Sequence, residues 1–305
     1  MILVAGGTGH LAAELIPRLL AGGTRVRILT RNCDRARRRL GDLPELVEGD
    51  VRNPESLAKA MRGVDAVVSA VTGFGVGADG PRAVDFEGNR NLVRAAEAAG
   101  VRRFVLLSMH GASANHRMEL ARMKHRSEEL LRASVLDWTI LRPTPFMELW
   151  AGIVGDPIAK AGKTLVFGTG ANPINFTAER DLARIIELVL LDHRLGRAAL
   201  DVGGPGNLTF SRLIAQIESA TGRTASVRHI PLVPMRLAAR LARPFRPDIA
   251  GMIQAGIGFD TSDMRFDATD LRREFPSLQL TGMADVILSR FGSAPAQRTV
   301  VTPGI

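Results

Sequence analysis

The chain opens Met1-Ile2-Leu3-Val4-Ala5-Gly6-Gly7-Thr8-Gly9-His10-Leu11-Ala12. Four apolar residues run straight into glycine, and the apolar positions of Leu11–Leu20 then recur with helical spacing. A strand, a tight turn and a helix in that order point the free N–H groups of a helix start at the end of a strand. Such a corner favours an anion, because the amides lack partners and the helix dipole is positive there. Gly7, Gly9 and Ala12 also satisfy Gly-x-Gly-x-x-Ala, the dinucleotide fingerprint, in the strand–turn–helix setting that gives the pattern its meaning. Gly6, Gly7, Thr8, Gly9, His10 and Leu11 are therefore candidate contacts for a diphosphate, and Ala12 lets the helix lie close to the strand. Pro17 falls inside the helical stretch, where a kink or local irregularity is expected. Gly22-Gly23 ends it.

Working outward, strands and helices alternate. Arg25–Thr30, Leu46–Glu48, Asp65–Val71, Arg103–Ser108 and Trp138–Leu141 read as strands. Pro54–Met61, with Asn53 as its N-cap, reads as a helix, as do Ala83–Ala99 and Met118–Ala133, the last capped by Ser113 or Asn115. Near-continuous apolar strands separated by helices imply βαβ units, right-handed crossovers and a doubly wound parallel sheet of Rossmann type. After about residue 143 proline and glycine become denser. Short strands (Thr164–Phe167, Pro173–Phe176, Ala199–Val202, Ser226–Ile230) mix with helices (Glu179–Leu191, Phe210–Thr221, Pro234–Ala242, Met283–Phe291). The expectation is an α/β protein with one unit over 1–292: a core over 1–143 and an interleaved, small α+β substrate lobe over about 144–292. Residues 293–305 read as a mobile tail.

Composition narrows the function. The 305 residues carry a net charge of +9, but most arginines are scattered along helical segments, and no tyrosine is present. A basic surface without an aromatic stacking platform or a recognition motif argues against nucleic acid. No stretch of some 18 uncharged apolar residues occurs, so no membrane partner is expected. Cys33 is the sole cysteine, which rules out an intrachain disulfide and makes a reducing, cytoplasmic location the default. No His/Cys spacing suits a metal, and no Gly-x-Ser-x-Gly elbow suits a hydrolase.

The second strand ends at Thr30 and the next residue is Arg31. Dinucleotide sites that prefer NAD place an acid there, to hold the ribose hydroxyls. Arg31 and Arg35 instead suit a 2′-phosphate, so the expected cofactor is NADP(H). Arg37, Arg38 and Arg39 read as a solvated helix face. Asp50-Val51 follows the third strand, near the expected adenine, where Asp50 either accepts from the exocyclic amine or caps a turn. Ser69-Ala70-Val71 ends the fourth strand with small residues, leaving room for a ligand to cross the sheet edge.

Taken with Ala99-Gly100-Val101-Arg102-Arg103-Phe104-Val105, Ser108, Lys124 with Glu128, and Trp138-Thr139-Ile140-Leu141-Arg142-Pro143, these residues make the chain resemble the NmrA-like branch of the atypical short-chain dehydrogenases, over most of its length to about residue 292. The resemblance implies that Ser108 lies near the nicotinamide, that Lys124 reaches its ribose, and that Pro143–Phe146 flanks the ring. It also implies NADPH-dependent reductases, quinone reductases, or proteins that sense the cofactor without turning it over.

The pattern departs at one place. Catalytic short-chain dehydrogenases carry a tyrosine four residues before the lysine, and here that position is Leu120. A positioned general acid is worth about 10²–10⁴ in rate. Its loss leaves Lys124, His110, His116 or water as a proton source, or an electron-poor acceptor that needs little acid help. Two functions follow: an NADPH-dependent oxidoreductase on a small apolar carbonyl or quinone-like acceptor, with Phe146, Met147, Leu149, Trp150 and Phe167 reading equally as its apolar lining or as core, or a non-catalytic sensor acting through a protein partner.

Overall fold

The computed structural model describes residues 1–292 apart from Leu43 and Val76; the expected tail lies outside the described residues. The first half runs β1 (Ile2–Ala5), α1 (His10–Ala21), β2 (Val26–Thr30), α2 (Cys33–Leu40), β3 (Glu45–Glu48), α3 (Pro54–Ala60), β4 (Ala66–Ser69), a π-helical segment (Arg82–Gly88) continuous with α4 (Asn89–Ala98), β5 (Arg103–Leu107), α5 (Glu119–Arg132) and β6 (Asp137–Pro143). The second half adds α6 (Met147–Ala161), β7 (Lys163–Phe167), β8 (Ile174–Asn175), α7 (Glu179–Leu191), β9 (Ala198–Val202), β10 (Asn207–Leu208), α8 (Phe210–Thr221), β11 (Ser226–Ile230), α9 (Leu232–Ala242), α10 (Pro247–Thr261), α11 (Thr269–Glu274) and α12 (Met283–Phe291).

Seven strands form one parallel sheet in the order β3-β2-β1-β4-β5-β6-β9. This is the doubly wound α/β sheet read from the sequence. Period-two alternation sorts its side chains between two cores. Ile2, Val4, Ile28, Val68, Val105 and Leu141 face α1 and α7, whereas Leu3, Ala5, Leu29, Val67, Phe104 and Ile140 face α3, α4 and α5. The strand order reverses at β1, with β2 and β3 added on one side and β4, β5 and β6 on the other, so the C-terminal ends of β1 and β4 open a crevice where ligands of such sheets bind. The lobe has its own core of Met147, Val154, Ile158, Phe176, Leu213, Ile217 and Ile287, and β9 returns from it to pair with β6.

Several local expectations are corrected. Residues 82–98 are not α-helical throughout but begin with π-helical turns. By contrast Pro17 lies inside α1, as read in the sequence, with Leu11, Leu15, Ile16 and Leu19 buried on one face. The N-cap of α5 is Met118, whose N–H donates to His116 Nδ1 at 3.1 Å, so neither Ser113 nor Asn115 caps it. Helices α6 and α10 go unread in the sequence because their glycines look like breakers. They are contact points instead: a Cβ on Gly155 would meet the Phe291 ring at 2.5 Å, and one on Gly256 the Phe167 ring at 2.8 Å. None of the described helices is long and apolar enough to cross a membrane.

Candidate functional site

The turn after β1 is built for close approach. Gly6 has φ +86°, and a Cβ there would sit 2.5 Å from the Ala70 carbonyl oxygen at the end of β4. Gly7 lies behind the turn, where a Cβ would strike the Ile28 side chain at 2.6 Å, so this glycine serves helix–sheet packing. Gly9 donates its N–H to Gly6 O at 3.0 Å and then caps α1 with no side-chain acceptor. The first turn of α1 holds no acid, which leaves its positive end uncompensated. Thr8 is half-buried and His10 exposed, while the Leu11 side chain turns into the core and only its amide belongs to the helix start.

A cleft of about 520 Å³ runs from this turn along the ends of β2, β3 and β4. It brings together Gly6, Thr8, Gly9, Arg31, Arg35, Asp50, Val51, Ala70 and Val71 of the residues singled out in the sequence, and adds Arg52 and Asp79, which were not. Asp79 stands between two cations: its carboxylate accepts from Arg31 Nη1 at 2.9 Å and from Arg52 Nη1 at 2.5 Å. Arg52 also binds Asp50 at 2.5 Å, and this guanidinium holds the Asp50 carboxyl below the usual carboxylate range. The Asp50 carboxylate is thus engaged with Arg52. Arg35 is exposed at the start of α2, where its N–H donates to Asn32 Oδ1 at 2.8 Å. Three guanidiniums against two carboxylates leave this corner one positive charge in excess. Asp79 arrives on a loop with glycines at 73, 75, 77 and 80. That clustering of glycines directly after a strand was the available signal for a loop folding back over the cleft.

The cleft floor is held by a buried polar chain. Ser69 Oγ donates to Asn89 Oδ1 at 2.6 Å, and Asn89 Nδ2 donates to the Asp85 carbonyl at 2.7 Å. The Asp85 carboxylate accepts the Gly73 N–H at 2.8 Å and lies 3.0 Å from Lys124 Nζ, a charge contact that does not align as a hydrogen bond. Lys124 Nζ donates to Val71 O at 3.0 Å and Leu107 O at 2.9 Å. Periodicity alone left Lys124 between a surface position and the cleft; it is buried, tying the ends of β4 and β5 to the π-helical segment.

Ser108 follows a similar course. It is buried, and its hydroxyl donates to Glu128 Oε1 at 2.5 Å. Glu128, wholly buried, also accepts from Arg142 Nε at 2.9 Å, from Arg142 Nη2, and from Arg132 at 3.2 Å. Ser108 and Lys124 thus lie behind the cleft wall with their donors turned into the fold. Pro143 ends β6, and its carbonyl accepts the His110 N–H at 2.9 Å; Phe146 precedes α6 and bridges to Thr177. Neither lines the cleft described above. His110 pairs with Asp201 at 2.9 Å and packs edge-on against Phe266, with centroids 5.6 Å apart. Burial pushes the His116 imidazole below its usual range. Of the apolar residues expected to line a substrate pocket, Met147 belongs to the lobe core, Trp150 packs on Phe210 and Phe259, and Leu149 faces solvent.

Chemically, the arrangement offers amides and a helix dipole to a diphosphate, and guanidiniums to a second anion at the β2–β3 end. Gly6 and Gly7, where any Cβ would strike Ala70 or Ile28, let the turn lie tight against β4 and β2 below the free amides of α1, an arrangement that fits a dinucleotide. No group of His, Cys, Asp and Glu among the described residues suits a metal ion.

A family model described as NAD(P)H-binding matches residues 6–163. The chain is 30% identical over 247 residues to the photosystem II assembly factor Ycf39 of Synechocystis, covering 80% of this chain and 75% of that one. It is 31% identical over 255 residues to the (4-alkanoyl-5-oxo-2,5-dihydrofuran-3-yl)methyl phosphate reductase of Streptomyces griseus, covering 82% and 83%. Its fold matches that of an NADPH-dependent quinone oxidoreductase of Escherichia coli solved with NADPH, at a TM-score of 0.76, 20% identity, and 96% and 100% coverage.

Proposed function

This chain belongs to the NAD(P)H-binding family, and from that premise we propose that it is an NADPH-dependent oxidoreductase of a small apolar carbonyl or quinone-like acceptor, working without a tyrosine acid. The observation that carries this reading is the fate of the two residues beside the expected nicotinamide. Ser108 donates to Glu128, and Lys124 is occupied by Asp85 and two carbonyls. The tyrosine position is Leu120. With no aligned proton donor left over, the site suits an electron-poor acceptor whose reduction needs hydride first and a proton later from water. In this reading the bound cofactor supplies the hydride. The residues of the chain bind and orient: the amides of the first turn of α1 take the diphosphate, and Ala70 and Val71 flank the crossing. Arg31, Arg52 and Arg35 take the 2′-phosphate. Lys124 is then a positioning residue that keeps the β4 and β5 ends in register, with Ser108–Glu128 doing the same for β5 and β6.

Steady-state NADPH oxidation with a panel of quinones and aldehydes tests this. Turnover of quinones well above aldehydes is expected. No turnover beyond buffer, alongside tight NADPH binding, overturns it. The similarity to an assembly factor favours the second reading in that event: an NADP(H) sensor whose ligand state controls contact with a protein partner.

A further inference from the structure

Helix α9 is amphipathic in an unusual sense, because its apolar stripe faces outward. Met235 and Ala239 point inward, where α9 packs on α10. Val233, Leu237 and Leu241 recur every fourth residue on the outer side and are 75%, 59% and 64% exposed, and Phe245 extends the line at 83%. Arg236 and Arg240, three residues beyond Val233 and Leu237, and Arg243, two beyond Leu241, run beside it and are exposed. Arg246 is held by Asp248 at 2.9 Å; the other three form no ion pair among the described residues. From residue 219 to residue 247 the chain has no acid and six arginines.

We propose that α9 and the Phe245 tip form a docking surface for an anionic lipid bilayer. Three features of the helix select this occupant. The stripe is a row of exposed aliphatic groups ending in one exposed ring, which a fluid acyl boundary accepts without a matching pocket. The arginines lie along its flank, so their stems rest at the interface while the guanidiniums reach headgroup phosphates. A second copy would bring the same uncompensated cations against themselves, which disfavours self-association through this face. The surface also adjoins the cleft. Asp248, at the start of α10, accepts the Gly77 N–H at 3.0 Å, so the loop that carries Asp79 is pinned to the base of this docking element. Association at a surface does not require a membrane-spanning segment, so the proposal departs from the sequence expectation of no membrane partner, which rested on the lack of such a segment.

Co-sedimentation of the full chain with phosphatidylglycerol–phosphatidylcholine vesicles, against pure phosphatidylcholine, tests the proposal. Binding to the anionic vesicles alone is expected, weakening as salt is raised because the Debye length falls to ~3 Å at 1 M. Leu237→Glu combined with Leu241→Glu reduces binding at least ~10-fold, and Arg236→Glu with Arg240→Glu does the same, while NADPH titration of each variant is unchanged. Should the glutamate pair disturb folding, as loss of NADPH binding would reveal, Phe245→Ser at the fully solvated tip carries the test and weakens vesicle binding severalfold. Three results overturn the proposal: no sedimentation with anionic vesicles at low salt; apolar variants that bind like the wild type, which makes the contact purely electrostatic; or a wild-type dimer in analytical ultracentrifugation that Leu237→Glu dissociates.

Discussion

Two ion pairs of nearly the same length belong to the cofactor cleft, one buried in its floor and one exposed in its lining. Lys124 and Asp85, 3.0 Å apart, have side chains 7% and 0% exposed. Arg31 and Asp79, 2.9 Å apart, are 66% and 35% exposed. Distance says they are equals; environment says they are opposites. Removing one partner of a buried pair leaves an uncompensated charge in a low dielectric, so the Lys124 pair is locked. The Arg31 pair lies in water, contributes at most ~1 kcal/mol, and can be exchanged for a better anion. A dinucleotide site needs both kinds. The floor has to keep its shape before the ligand arrives, and the corner proposed to read the 2′-phosphate has to let go of whatever holds it in the meantime.

The comparison can be broken most severely at Lys124. Lys124→Met is expected to cost about 3–5 kcal/mol in urea unfolding, the range for a broken buried pair. A cost under ~1 kcal/mol would put the two pairs in one class. Next in size is Arg31→Ala, which is expected to weaken NADPH binding ~10- to 100-fold in a fluorescence titration, since a charge-assisted hydrogen bond contributes ~1.5–3 kcal/mol. NADH binding changes little in the same variant, and equal loss for both cofactors would reject the specificity argument.

An intermediate case sharpens the contrast. Glu179 and Glu148 are withdrawn from solvent at the start of α7 and α6 without a cation in contact among the described residues. Burial, reinforced by the Glu148 charge, pushes Glu179 from its ordinary 4.5 to about 7, and burial raises Glu148 as well. A carboxyl whose folded pKa is raised binds its proton more tightly in the native state. Its favourable contribution is therefore complete below pH 4.5 and lost as pH rises through about 7. Glu179→Gln should melt at a higher temperature than the wild type above that pH, the gap closing toward pH 4.5; a gap independent of pH would be contrary to this account. The smallest effect belongs to Asp79→Asn. Unfolding should barely change, by less than ~1 kcal/mol, while NADPH binding tightens by up to ~5-fold as the competing carboxylate is removed. Weaker NADPH binding would make Asp79 a support for the arginines and not their temporary partner.

The parts of this design that were legible in the sequence are those set by short-range pattern. Strand alternation, the glycines at 6, 7 and 9, and Arg31 directly after β2 each declare themselves within a few residues. Asp79 did not, because its partners Arg52 and Arg31 lie 27 and 48 positions away and meet it only through a loop whose path is not periodic. Lys124 was readable as a helix residue but not as a buried one, since the burial depends on Asp85 arriving from another helix. Helices α6 and α10 were obscured by glycines that permit ring contacts, a purpose that local composition does not express.

The π-helical segment at 82–88 gives the floor a sharp dependence on residue count. Its wide turns hold Asp85 where Lys124, Gly73, Ser127 and Asn89 all converge. Each residue of a helix advances ~100° around the axis, so excising one position there would restore a regular spiral and swing the carboxylate away from the lysine by that angle. Substitutions near this point are tolerable or not according to chemistry, but a single-codon deletion would be read as a change of phase.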